Sequence, residues 1–441
     1  MSFHYSEFRP YLKIGSSPRN VRCCSRPETC GLFFAVATIH EMNQSPEVHS
    51  SLISECYKRS VRLLKSNSQP LGIIACGISE KAVGRNYASI FGRDAAICSL
   101  GMVASGEPEL IRYARKSLIT LGRNQAPNGQ IPKYVRPESE EVDFWYYGCI
   151  DATLWWLLAI DFFDRHVPGR QLRSKLATEI RMAAYWLLCQ EHQGLSLLQQ
   201  NEASDWADIM PRSGFVLYAN ALWYLVKRRY RDLIPGARDT RYYFNRIFFP
   251  FDNVVPDHRR ARVLVHYIRN MAKAGDFYLS FVNFSFWGRE IDVFGNILAL
   301  LFGLTEKSKA SRMVERLIEL KVNLPYPVRV VHSPIGRKSS LWRQYMQRHL
   351  QNLPYQYHNG GIWPFVGGFW AILLARLGKR RVAWQELERL AASNSVNDWE
   401  FNEWFHGLTG RPMGMAGQSW NAAMFLLAFH VLQGDLWFPE V

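Results

Sequence analysis

Two carboxylates in this 441-residue chain sit where acid–base chemistry could use them. Asp151 follows the stretch DFWYYG (143–148) and opens the apolar run IDATLWWLLAIDFF. Aromatic neighbours strip water from a carboxyl group, which favours its neutral form and raises its pKa. The same position suits a helix N-cap, where a side-chain oxygen accepts from free amides and the helix terminus favours the anion. Both roles stand open: Asp151 serves as a general acid only where desolvation or a nearby carboxylate outweighs the helix end. Glu403 lies in NDWEFNEWFHG (397–407), among Trp399, Phe401, Trp404 and Phe405. Glu400, Glu403 and His406 could be read together as metal ligands. The glycine-rich TGRPMGMAG that follows argues against one long helix carrying all three. One surface carboxylate and one working carboxylate, with no metal and no cofactor, is the simpler assignment.

A second group of polar residues enters apolar sequence. SIFGRDAAICSL (89–100) sets Arg93 beside Asp94 inside a run that heads for the core. Buried charges are costly unless paired or bound. The pair is either a structural ion pair, with Asp94 capping a helix, or the polar floor of a pocket for a ligand rich in hydroxyl groups. YHNGGIWP (357–364) brings a glycine-flexed backbone close to something and opens a helix at Trp363-Pro364. His358 alone reads equally as a structural histidine.

Positioning these groups falls to a chain that reads as helical almost throughout. Apolar or amphipathic stretches of helical length run near 52–65, 90–104, 108–121, 150–166, 171–190 and 213–230. Six more follow near 258–273, 289–303, 308–321, 362–377, 381–393 and 418–433. Strand signals are short, FVLY and YPVRVV being the best. Long joins at 122–149, 191–212, 322–361 and 394–417 carry the polar and aromatic residues, as functional loops do. Helices in pairs with elaborate alternate joins suggest a closed toroid, although an open solenoid gives the same count. Residues 1–50 look irregular, and 51–441 read as one domain.

Composition narrows the function. Hydrophobic residues make up 48% and charged residues 21%, which is globular, and 15 Trp, 20 Tyr and 26 Phe suit both a large core and surfaces that pack on sugar rings. The net charge of +15 is spread along the chain without a nucleic-acid motif, so solvated helix faces account for it. No apolar run is long enough to span a membrane and MSFHYSEFRPYLK is no signal peptide. The eight cysteines, all within the first 190 residues, lack the spacing of a zinc site. The expectation is a reduced, cytoplasmic protein with no nucleic-acid or membrane partner.

Four motifs, FGRD (91–94), IDATLWW (150–156), YHNGGIWP (357–364) and NEWFHG…GQSWNAA (402–423), resemble in order and spacing the loops of inverting glycosidases built on an (α/α)6 barrel. REIDVFGNILALLFGL (289–304) resembles a helix of the same families. Two branches are closest: the amylo-α-1,6-glucosidase part of glycogen debranching enzymes, and the neutral/alkaline invertases. The resemblance implies an all-α (α/α)6 toroid, a sugar substrate, Asp151 as general acid and Glu403 as general base. It further implies that Arg93, Asp94, Trp145, Asp205, Trp206, His358, Trp363 and Gln418 bind substrate, with Asp208 as another hydroxyl acceptor. FGRD and DATLW look more like the debranching glucosidases, YHNGG more like the invertases. Invertases usually carry a basic residue just before Gln-x-Trp, where this chain has Met415. The leading expectation is hydrolysis of an α-glucosidic bond of the α-1,6 type, with sucrose hydrolysis second. A catalytically lapsed sugar-binding protein on the same barrel is the reading from outside the enzymes.

Overall fold

The computed structural model describes residues 50–139, 141–144, 149–169, 171–252, 254–272 and 275–439. The irregular segment expected at 1–50, with Cys23, Cys24 and Cys30, lies outside these apart from Ser50, and so does Trp145. Twelve helices among the described residues build the body. They are α1 (Ser51–Ser66), α2 (Gly92–Ala104), α3 (Pro108–Arg123), α4 (Ile150–His166), α5 (Ala177–Gln190) and α6 (Leu217–Arg229). The second half has α7 (Ala237–Phe248), α8 (Val293–Leu301), α9 (Lys307–Glu319), α10 (Pro364–Arg376), α11 (Arg380–Trp399) and α12 (Ser419–Gln433).

Their sequences sort them into two layers. A helix that is apolar all round must be buried, whereas one apolar stripe covers a core from outside. The even-numbered helices are of the first kind: every residue of α8 is buried, and so is Ile150–Phe163 of α4. Each packs on the next even-numbered helix, and α12 packs back on α2, so the inner ring closes. Odd-numbered helices are of the second kind. α1 buries Ile53, Cys56, Ser60 and Leu64, and α9 buries Ala310, Met313, Val314 and Leu317. α1 lies on α12 and α11, α3 on α2, α5 on α4, α7 on α6, and α11 on α10. This is the (α/α)6 toroid, and the open solenoid is excluded by the contact of α12 with α2.

Two expectations about elements need correction. α7 is absent from the twelve stretches that the sequence suggests, and 259–272, which is among them, forms an additional helix beside α7. In α7 only Thr240, Phe244, Ile247 and Phe248 are buried, and arginines and tyrosines around that stripe mask it. YPVRVV forms only single bridges, Arg329 opposite Ile362 and Val331 opposite Asp292. In FVLY the strand ends at Val216, and Leu217 and Tyr218 already belong to α6.

Short antiparallel sheets lead into the inner ring. Ile90–Phe91 pairs with Tyr134–Val135, which pairs with Val142–Asp143, and α2 starts directly from the first of these. Gly214–Val216 sits between Leu197–Gln200 and Phe281–Val282 and runs straight into α6. Trp404–Phe405 pairs with Pro412–Met413, and Phe405 also bridges to Ile362 ahead of α10. Each of these strands therefore brings its chain to the N-terminal end of an inner helix, or beside one.

Ring closure depends on a missing side chain. A Cβ on Gly101 of α2 would collide with the backbone carbonyl of Ala423 in α12. Overpacking of this kind typically costs about 1–3 kcal/mol, and more where backbone is struck. Gly101→Ala is therefore expected to lower unfolding free energy by about 3 kcal/mol, although alanine favours an isolated helix. Urea unfolding followed by circular dichroism checks this.

Candidate active site

The candidate residues gather at the N-terminal ends of the inner helices. Arg93 and Asp94 lie in the first turn of α2, Asp151 in that of α4, Tyr218 in α6 and Trp420 in α12; Trp363 immediately precedes α10. Asp151 is completely buried. It is the second residue of its helix, with Cys149 at the cap, so its side chain does not do the capping. Its oxygens instead receive the Cys149 thiol at 3.2 Å and the Tyr218 hydroxyl at 3.1 Å, with Arg93 Nη1 at 3.5 Å. Trp155 Nε1 donates to the Tyr218 oxygen at 2.7 Å, which orients that hydroxyl toward Asp151.

Glu403 is delivered by a strained loop. Across the end of α11 and just beyond it the backbone takes left-handed conformations at Asn397, Asp398, Trp399 and Phe401. Such residues are costly and persist where the surroundings over-determine them, often at functional sites. Glu403 N donates to Met415 O at 2.8 Å, Met415 N donates to Glu403 Oε2 at 3.0 Å, and the Tyr87 hydroxyl donates to Oε1 at 2.7 Å. Gly414, at φ +81°, leaves no room for a Cβ beside the same carboxylate. Burial raises the Glu403 pKa to about 7; the Tyr87 and Met415 hydrogen bonds oppose this, and Asp94 and Asp208 reinforce it. Glu400 takes Asn397 Nδ2 at 2.8 Å near the surface. Among the described residues no group of three or more metal-ligating side chains comes together.

Between the two carboxylates lies the pair from FGRD. Arg93 Nε donates to Asp94 Oδ1 at 2.9 Å while its Nη1 faces Asp151, and its guanidinium lies 5.6 Å from the Trp420 ring. Burial raises the pKa of Asp94, Arg93 opposes this and Asp151 adds to it. Asp94 is thus an electrostatic neighbour of both Asp151 and Glu403. The structure shows Arg93 and Asp94 as a buried ion pair that also engages Asp151.

Aromatic rings make the wall. His358 stacks on Trp363 with centroids 5.1 Å apart, and Trp206 meets both edge-on. Trp206 also packs on Tyr218, Phe294 and Phe365, and Phe365 stacks on Trp420 at 4.0 Å. Burial lowers His358 to a pKa of about 3, despite Asp208, so the ring is neutral. Trp363 Nε1 is satisfied by Tyr357 O. By contrast, Trp206 Nε1, His358 Nδ1, Trp404 Nε1, Gln418 Nε2 and Trp420 Nε1 are buried without a hydrogen-bond partner. Buried polar atoms are nearly always paired, so such a set is a demand for a polar ligand or water. Asp205 differs: its oxygens are held by Ala207 N and Gln200 Nε2, and burial with the Asp151 charge pushes it up to about 6. Burial pushes Asp208 up, but Lys133 at 3.2 Å, with Arg93, outweighs it and lowers the pKa.

A cavity of about 720 Å³ has Tyr87, Asp208 and Tyr357 among its lining residues. Behind it, at the start of α8, Arg212 is buried against Glu290 at 3.4 Å and Asp292 at 3.1 Å, which accounts for REID as a structural motif. Sequence reading missed Tyr87, Lys133, Cys149 and Tyr218. Tyr87 is six residues before Arg93, and Lys133 lies on the loop already marked as functional. Tyr218 offered no signal, since FVLYANALWY reads as core.

Known proteins resemble this chain in sequence and in fold. The sequence profile described as alkaline and neutral invertase matches residues 253–434. Cytosolic invertase 1 of Oryza sativa subsp. japonica is 21% identical over 467 residues, covering 90% of this chain and 80% of that protein. Probable alkaline/neutral invertase D of Arabidopsis thaliana is 20% identical over 438 residues, covering 84% and 80%. Among solved structures, the GH63 mannosylglycerate hydrolase of Thermus thermophilus in complex with glucose superposes with a TM-score of 0.58 at 14% identity, covering 84% of this chain and 99% of that one. A bacterial glucoamylase complexed with acarbose gives 0.52 at 13% identity, covering 85% and 55%. The chain is thus a glycoside hydrolase of the (α/α)6-barrel class. Within that class it is similar to the alkaline and neutral invertases.

Tyr87 gives a direct test of the electrostatics. Its hydroxyl favours the Glu403 anion, and a hydrogen bond to a charged group is worth about 1.5–3 kcal/mol. Tyr87→Phe should move the Glu403 titration upward by roughly one pH unit or more. Carbon-13 NMR of labelled glutamate carboxyls checks this.

Proposed function

We propose that this protein hydrolyses a small α-glucoside with inversion of configuration, and that sucrose, the substrate type of the alkaline and neutral invertases, is the first to test. The observation that carries the reading is the pair of buried, separately held carboxylates on either side of Arg93 and Asp94, under a wall of unsatisfied polar atoms. Asp151 is the general acid, giving its proton to the leaving oxygen as the bond breaks. The anion left behind is received by the Tyr218 hydroxyl, the Cys149 thiol and Arg93, so no bulk water is needed to stabilise it. Glu403 is the general base, taking a proton from a water that attacks the opposite face of the ring. Inversion needs about 6.5–9.5 Å between the carboxyl groups, against about 5–5.5 Å for a nucleophile.

Sucrose is favoured by the invertase profile over 253–434 and by invertase likenesses that cover 84% and 90% of this chain and 80% of each relative. The α-1,6 reading keeps the support of FGRD and DATLW and of the departure at Met415. That residue is buried and serves Glu403 through its backbone, while Lys81 Nζ reaches the neighbouring Gly414 O at 2.9 Å. No helix among the described residues is long and apolar enough to cross a membrane. A cytoplasmic location is proposed, in keeping with the rice relative named cytosolic.

Released sugar from sucrose, isomaltose, panose and limit dextrin decides between the substrates, and no turnover on any of them would favour the lapsed protein. Asp151→Asn and Glu403→Gln should each lower kcat by about 10²–10⁴-fold or more with the fold intact. Because Glu403 acts as the anion and titrates near 7, activity should fall as pH drops through about 7. A limb near 4–5 in the pH–rate profile would contradict that role. Early proton NMR should show β-glucose first from an α-glucoside; α-glucose first would mean retention.

A further inference from the structure

We propose that this protein docks on an anionic lipid surface, through a face built from the additional helix Arg259–Ala272, the hairpin at 281–288 and the loop at 333–343. None of these residues belongs to the candidate active site, and the inference stands independently of the hydrolase reading. The helix carries two apolar stripes. Ala261, Val265, Ile268 and Ala272 are buried against the body, whereas Val263, Tyr267 and Met271, four residues apart, are each more than half exposed. Beside the second stripe the hairpin raises Phe284, which is 94% exposed. Its turn is held in shape: Asn283 N donates to Phe286 O at 2.9 Å, and Asn283 Oδ1 accepts from Ser285 N at 2.9 Å. The Tyr267 ring meets Trp287 edge-on at 5.6 Å. Met271, Phe286, Trp287 and Leu341 line one cavity of about 480 Å³, so helix, hairpin and loop form a continuous surface. Single apolar side chains on a surface are ordinary, but a joined group of them marks a contact.

Charge identifies the partner. Residues 259–272, 281–289 and 333–343 together hold eight arginines and lysines and no aspartate or glutamate. Arg259, Arg260, Arg262, Arg337 and Lys338 are exposed, while Arg343 lies 5.6 Å from the Phe286 ring and pairs with Glu202. The flanking acids are engaged elsewhere: Asp257 accepts the Tyr242 hydroxyl at 2.8 Å, and Glu290 is buried against Arg212 and Ser280. Apolar side chains framed by cations match the layers of a leaflet, whose acyl boundary takes the rings and whose headgroups take the arginines. A second copy would set cations against cations with no acid in these segments to meet them, and like charges across an interface are costly. An acidic protein would need a pocket for the protruding Phe284, whereas a bilayer yields to it. The expectation of no membrane partner rests on the lack of a spanning segment, which a helix lying on one leaflet does not require.

The test is flotation of the full chain with vesicles of phosphatidylcholine alone and of phosphatidylcholine with about one-third phosphatidylserine. Binding to the anionic vesicles should be about tenfold tighter or more, and raising salt should weaken it. A basic chain adsorbs to anionic vesicles by charge alone, so the apolar side chain decides. Phe284→Ser should weaken binding about tenfold or more, with the thermal unfolding curve unchanged because the side chain packs on little. Phe284→Trp should restore it, since tryptophan suits the interface. Arg259→Gln combined with Arg260→Gln should likewise cost about tenfold or more. Equal binding to both kinds of vesicle, or binding that Phe284→Ser leaves unchanged, would overturn the proposal. Self-association that Phe284→Ser abolishes, without vesicle binding, would overturn it in favour of a second copy. Equal affinity for the vesicles and for polyglutamate would overturn it in favour of an acidic protein.

Discussion

One guanidinium holds the centre of this protein together. Arg93 faces Asp94 and Asp151 at once, in a place where neither carboxylate has bulk water to solvate it. Breaking a buried pair strands a charge, which costs far more than the pair contributes when intact. The position of α2 relative to α4 is thereby coupled to the electrostatics of the acid. Asp94 carries the coupling across to Glu403, whose carboxyl it helps to hold above the ordinary range. The two ends of the proposed reaction are joined through one residue pair.

The toroid suits such a site because of where it puts helix ends. Inner helices present their N-termini at the site, each with free amides and a partial positive charge. Acidic groups tolerate that surface, and Asp94, Asp151 and Asp292 occupy the first turn or cap of three of them. Aromatic residues at the same ends, such as Trp363 and Trp420, supply apolar faces with polar edges. Hydroxyl-rich rings with apolar CH faces are complementary to that mixture.

Much of this was legible in the chain. Motif order gave the barrel, and the apolar runs of α4, α8, α10 and α12 had nowhere to go but inside. Arg93, Asp94 and Asp151 meet in one ion-pair group, Trp206, His358 and Trp363 pack on one another, and Glu403 is held by Tyr87 and Met415. The less legible parts share a cause. Tyr218 touches Asp151 through a phenol on an otherwise apolar helix, and a buried tyrosine in sequence looks like any core aromatic. α7 hid because an outer helix needs only one narrow stripe. For Asp151, residue types could not exclude a cap, whereas its place as the second residue of the helix does. Asp205, offered as a hydroxyl acceptor, has its oxygens engaged by its own loop, a local geometry that residue type does not encode.

Closing the ring between α2 and α12 has a consequence for biogenesis. The two helices that meet at Gly101 and Ala423 are separated by nearly the whole length of the barrel sequence, and pairings so distant are slow to form. Asn67, just after α1, likewise donates to Gly417 O and Ser419 Oγ at the start of α12. A nascent chain on the ribosome can fold its early hairpins, but α2 keeps an apolar flank open until the last helix emerges. Glu403, the strained loop that presents it and Gln418 arrive in that same final stretch. Emergence of α12 is therefore the step that both seals the ring and brings Glu403 into place, and the nascent chain carries an exposed apolar seam until then.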